Sequence, residues 1–168
     1  CSWSPQACLE ELLEAGAWIT VDGEPTRLDH RPHEVRYVAR CGDLEATGNL
    51  VPHEELVTLG AMYPGVELAY VYQLCPPARA SLQARPERGH AQWPTARLYP
   101  PHCTDLRGTN ELGVLLCSRT LGEFWIGWRN DHADALALGT NAVLLQVAAG
   151  VVAGWHEQRR LAPGVYLP

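Results

Sequence analysis

Lysine is absent from this 168-residue chain, and all thirteen basic residues are arginine. That excludes Schiff-base chemistry on a lysine of this chain. Among Cys1, Cys8, Cys41, Cys75, Cys103 and Cys117 there is no C-x-x-C pair and no spacing that suits a zinc knuckle, so no metal site is expected. Six cysteines permit three disulfides, but no apolar signal segment points to export. The thiols are therefore read as free and mostly buried, in a cytoplasmic protein. No run of eighteen apolar residues exists, which argues against a membrane-spanning helix. G-x-G-x-x-G is missing as well, so no dinucleotide loop is expected on this chain. A net charge of −6 and a pI of 5.6 argue against nucleic acid as a partner. The chain also lacks an initiating methionine, opening instead on Cys1-Ser2-Trp3-Ser4-Pro5, which reads as a processed start or a piece of a longer polypeptide.

What is present describes a globular chain. Apolar residues make up 46% and charged residues 19%, enough for one domain over residues 1–168 with an ordinary core. Ser4-Pro5 caps a helix running to Gly16. Trp18–Val21 reads as a strand ending in an Asp22-Gly23 turn, Glu34–Arg40 as a half-buried strand, and Asp43–Thr47 as its continuation. Gly65–Leu74 predicts one further strand. From Cys75 to Pro101 six prolines break the periodicity, leaving a long surface excursion with a short helix at Ala78–Ala84. Leu112–Cys117 and Phe124–Trp128 predict a β-hairpin joined through Arg119–Glu123. Thr140 to about Arg160 predicts a strongly apolar helix. Strands and helices mix without βαβ alternation, giving an α+β (mixed α/β) fold with a mixed sheet and packed helices.

The most informative stretch is Ala46-Thr47-Gly48-Asn49-Leu50-Val51-Pro52-His53-Glu54-Glu55. Gly48 and Asn49 suggest a sharp turn, and Pro52 the first helical position before Leu56, Val57 and Leu59. An imidazole and two carboxylates then stand at a helix start, where a histidine is suited to proton transfer near neutral pH. A histidine at such a position is also an ordinary capping or surface residue.

Three separated segments, taken in order, resemble homospermidine synthase of the saccharopine dehydrogenase-like group. They are Trp3-Ser4 with Glu11, the Gly48–Glu55 motif, and Glu111–Leu116 leading to Phe124-Trp125-Ile126-Gly127. Asn141-Ala142 followed by Leu145–Val151 extends the resemblance over nearly the whole chain. It covers only the family's second domain, the one that closes on the substrate and carries the dimer contact. The resemblance therefore implies an NAD or NADP cofactor held mainly by a Rossmann domain outside this chain, and a homodimer as the assembly. The family's chemistry oxidises an amine to an imine, exchanges the amine and reduces the product.

The resemblance also implies roles. Trp3 would hold a substrate cation against its indole, Glu11 would bind a distal ammonium, His53 would be the acid/base group with Glu54 beside it, and Asn141 would face the nicotinamide. Ordinary alternatives are a core tryptophan, a solvated helix face shared with Glu10 and Glu14, and simple helix capping. One departure stands out: after Tyr70-Val71-Tyr72 the family carries Cys-Asp-Asp, where this chain has Cys75-Pro76-Pro77. Losing two carboxylates disfavours a diamine in the same pose. Asp105 or Glu111 is left to compensate, and an amine or amino-acid-derived substrate other than putrescine fits better. Two other classes compete: a non-catalytic scaffold or binding module descended from that domain, and a thiol enzyme using Cys1 or Cys103 with His102.

Overall fold

A computed structural model describes residues 5–13, 15–83 and 106–164. The chain divides into two compact units, whose described residues fall within 5–83 and 106–164 respectively. Several sheets and helices give a mixed α/β fold, but the expected single mixed sheet does not form. The eight described strands fall into three sheets, and every pairing is antiparallel.

In the first unit, helix α1 (Pro5–Leu13) leads to strands β1 (Trp18–Val21) and β2 (Glu24–Arg27). Their turn places Asp22 (φ 52°) and Gly23 (φ 84°) both in the left-handed region, the backbone that a two-residue hairpin with native strand twist demands. A short 3-10 turn at Pro32–Glu34 precedes β3 (Tyr37–Cys41), which begins three residues later than the alternation predicted. Strand β4 (Leu44–Leu50) contains both Gly48 and Asn49, so the sharp turn expected there is not formed. Gly48 instead allows close approach: a Cβ there would stand 2.7 Å from the Tyr72 carbonyl oxygen. Asn49 is buried, and its amide donates to the carbonyls of Pro32 (2.8 Å) and Val35 (3.0 Å), pinning the 3-10 turn to the sheet.

The predicted Gly65–Leu74 strand divides into β5 (Leu68–Ala69) and β6 (Val71–Tyr72). β5 pairs with β1 and β6 with β4, so one extended segment joins two three-stranded sheets with only Tyr70 between them. The Tyr70 carbonyl accepts from Val51 N–H at 3.2 Å, which fixes the segment beside the entry to helix α2 (Glu54–Met62). α2 starts two residues after Pro52, with His53 as its N-cap residue. It lies on β1 through a buried hydrogen bond from Thr20 Oγ1 to the Leu56 carbonyl (2.6 Å) and through close approach of Gly60 to Gly23. Leu12, Val51, Leu50 and Leu56 fill the core under α1 and α2. Helix α3 (Pro76–Gln83) opens on both prolines, whose missing N–H groups are not needed in a first turn. It occupies the start of the stretch read as a surface excursion.

The second unit is a long ribbon followed by two helices. Strands β7 (Thr109–Ser118) and β8 (Gly122–Asp131) extend the predicted hairpin at both ends. Ser118 Oγ accepts from Thr120 N and Leu121 N, and Gly122 takes φ 82°, closing the three-residue loop. Helix α4 (His132–Ala137), which the sequence reading omitted, has full capping at both ends. Asp131 accepts from Ala133 N at 2.7 Å. At the other end Gly139 (φ 75°) donates to Leu136 and Thr140 N donates to Ala135, a Schellman termination. Helix α5 (Ala142–Glu157) follows the prediction closely.

Candidate functional site

A group of titratable side chains meets at the junction between β4 and α2. His53 is in extended backbone (φ −146°, ψ 151°), so its side chain leaves the helix axis and contributes no capping bond. Its imidazole stacks on Tyr70, with ring centroids 4.1 Å apart and planes 4° from parallel. Tyr70 can serve as that platform because it is the residue between β5 and β6. His53 Nδ1 hydrogen-bonds Glu55 Oε2 and lies 3.2 Å from Glu54 Oε2. Facing carboxylates, Nδ1 carries the proton, which leaves Nε2 as the basic nitrogen.

Glu11, on α1, belongs to the same cluster. Burial raises its carboxyl above the usual carboxylate range; the His53 imidazole opposes the shift, and the charges of Glu54 and Glu10 add to it. Burial also raises the Tyr70 phenol, with Glu55, Glu11 and Glu54 adding to the effect. Nearby, burial pushes the Cys8 thiol up against a hydrogen bond from the Tyr72 side chain. Among the described residues no arginine pairs with Glu11, Glu54 or Glu55. Two carboxylates therefore meet one imidazole, with Glu11 in electrostatic range, and no arginine among the described residues pairs with any of the three.

Of the residues expected to form the site, His53 and Glu54 are brought together here, with Glu11 in electrostatic range of both. Trp3 and Asp105 lie outside the described residues. Asn141 sits in the second unit, where its side chain accepts from Leu144 N at 3.0 Å and caps α5. Ala142 N–H, in the same first turn, donates to His132 Nδ1 (3.2 Å). Glu111 pairs with Arg129 across the ribbon at 3.1 Å. The four described cysteines, Cys8, Cys41, Cys75 and Cys117, are free thiols, as expected; none is fully buried, and Cys75 and Cys117 are exposed.

Two members were not assigned from sequence. Glu55 was within the motif, and its i+2 spacing from His53 placed it within reach. Tyr70 carried no local signal, because its role depends on how the β5–β6 segment docks.

The described residues do not fit a dinucleotide. A pyrophosphate needs free N–H groups at a strand-to-helix junction. The β4–α2 junction presents Glu54 and Glu55, the β6–α3 junction opens on two prolines, and the β8–α4 junction is occupied by the Asp131 cap.

No family model matches this chain, and no curated protein or solved structure does so either. The resemblance to homospermidine synthase thus rests on the ordered sequence segments alone.

Proposed function

We propose that this chain is the amine-binding part of a homospermidine synthase-like, NAD(P)-dependent enzyme acting on an amine other than putrescine. In this reading the nucleotide is held by a domain or chain beyond these residues. One observation carries the proposal: Glu54 and Glu55 meet the His53 imidazole, Glu11 interacts with it electrostatically, and among the described residues no arginine pairs with these carboxylates. A substrate ammonium supplies a cation for them. It opposes the burial that, with the charges of Glu54 and Glu10, raises the Glu11 carboxyl, and it donates hydrogen bonds that carboxylates accept best.

Proton exchange follows from the same geometry. Glu55 holds Nδ1–H, so Nε2 takes one proton from the bound R–NH3+ and leaves R–NH2 with its lone pair free. An alkyl ammonium and an imidazole differ by about 4 pKa units, roughly 5 kcal/mol. Pro76-Pro77 place no carboxylate beyond Cys75, in keeping with a substrate that is cationic at one end only.

Calorimetric titration of the chain with n-butylammonium and with 1,4-diaminobutane tests the reading. The monoamine is expected to bind no more weakly than the diamine, and Glu11→Gln to weaken it at least about tenfold, some 1.4 kcal/mol. Absence of binding by both amines at millimolar concentration would remove the proposal.

A second reading has its own observation. One ligand atom each from His53, Glu54 and Glu55 lies within 4.8 Å of the others, a donor set suited to a divalent transition ion. Titration with Mn2+ separates the two. Selective broadening of the His53 ring resonances at micromolar ion, without competition from amine, favours the metal.

A further inference from the structure

A polar cleft lies on the first unit, formed by the chain that leaves β2. It measures about 370 Å³, within the range of small-molecule sites, and its lining includes Arg27, Asp29, His30, Arg31 and Glu34. None of these belongs to the His53 cluster. The backbone here is fixed from several sides. Leu28 N donates to the Ala17 carbonyl (2.9 Å) and Ala17 N to the His30 carbonyl (3.0 Å), continuing the β1–β2 pairing past both strands. Further on, Asn49 holds the Pro32 and Val35 carbonyls, and His33 Nδ1 donates to the Leu12 carbonyl at 2.9 Å. A cleft held in this way loses little freedom when a ligand enters.

The cations of the cleft are left open. Among the described residues neither Arg27 nor Arg31 forms an ion pair, although Asp29 and Glu34 line the same cleft. Glu34 instead accepts from the Arg31 backbone N–H at 2.7 Å. Arg27 lies back over Gly16, where a Cβ would collide with its Nε and stand 3.2 Å from its Cγ and Cδ. His30 has both ring nitrogens in use. Facing a carbonyl, Nδ1 donates to Arg31 O (3.0 Å), so Nε2 accepts from the Tyr37 hydroxyl (2.7 Å). That suits the cleft to binding rather than to proton transfer.

We propose that this cleft binds the carboxylate of a small organic acid through the guanidiniums of Arg27 and Arg31. Planar guanidinium forks match a planar carboxylate and reach it through charge-assisted hydrogen bonds. The acids of the lining select the ligand's charge. Asp29 and Glu34 balance the two cations, so a singly charged anion is accepted where a doubly charged one meets added repulsion. The cleft shares no residue with the amine centre, and either reading can fail alone.

An NMR titration of the full chain, following the Nε–H resonances of Arg27 and Arg31, tests the proposal with propionate and sulfate at matched ionic strength. Propionate is expected to shift both resonances saturably, and sulfate to bind at least about tenfold more weakly. Arg31→Gln is expected to weaken propionate at least about tenfold. Gly16→Ala keeps every charge but pushes Arg27 aside, and is expected to weaken propionate about threefold or more. Asp29→Asn is expected to narrow the preference for propionate over sulfate. Unchanged amide shifts in β1 and α2 establish that each variant is folded. Propionate shifts that stay linear to about 50 mM, or equal affinity in wild type and Arg31→Gln, overturn the site. Sulfate binding more tightly than propionate overturns the ligand class.

Discussion

The two units of this chain bury different things. Residues 5–83 enclose Leu12, Leu50, Val51 and Leu56, hold Thr20 and Asn49 in satisfied buried hydrogen bonds, and bring His53, Glu54 and Glu55 together at one junction. Residues 106–164 enclose two alanines and turn their large side chains outward. In the first unit the apolar surface makes a local core, and the polar groups left over make chemistry. In the second the large apolar side chains lie mostly exposed. Stability in the first should therefore depend on interior packing, and in the second more on helix ends.

Substitutions can break or sharpen that contrast. Leu12→Ala removes a fully buried side chain and should cost about 2–5 kcal/mol in urea unfolding, the largest single effect expected. Val151→Ala, measured on dilute monomer, should cost far less; a cost equal to that of Leu12→Ala would erase the distinction between the units. Next is Asn49→Ala, which leaves the Pro32 and Val35 carbonyls without their buried donor, at about 1–3 kcal/mol. Asn141→Ala removes only the α5 cap and should cost about 1 kcal/mol, confined by hydrogen exchange to the second unit.

The smallest effects depend on pH. His132 has its pKa lowered from 6.5 by burial, with Asp131 opposing. It must be neutral at Nδ1 to accept from Ala142 N. Because the unfolded chain takes up this proton at higher pH than the folded one, the bond's contribution is complete above about pH 6.5 and lost as pH falls through the folded value. Exchange of the Ala142 amide, corrected for its intrinsic pH dependence, should therefore speed up on acidification. Glu11 has the opposite sign. Its raised carboxyl favours the folded state at low pH, and that advantage is lost as pH rises through the folded value. Glu11→Gln should thus raise the melting temperature at pH 7 while weakening amine binding. Loss of both stability and binding would make Glu11 a structural residue.

Local chemistry made much of the fold readable. The Asp22-Gly23 turn, the ribbon through Arg119–Glu123 and the capped α5 all depend on residues within a few positions of one another. What escaped was set by pairing at a distance. Leu68–Tyr72 looks like one strand, and only the positions of β1 and β4 divide it between two sheets. Gly48-Asn49 looks like a turn, but close packing against Tyr72 and the carbonyls of Pro32 and Val35 makes it strand. Short α4 was hidden because Ala133-Asp134-Ala135-Leu136-Ala137-Leu138 has no clear helical period, although Asp131 and Gly139 mark both its ends. At the site, His53 and Glu54 were legible as a motif, whereas the Tyr70 platform required the sheet junction.

The most direct test of the amine centre is the ring-proton NMR titration of His53 with n-butylammonium, in wild type and in Glu11→Gln. The expected result is a saturable shift of the His53 ring resonances in the wild type that is lost or much weakened in the variant, with the His132 ring unmoved in both. A His53 ring that does not respond to amine, or that responds equally in both proteins, would contradict a cation site built from Glu11 and the start of α2.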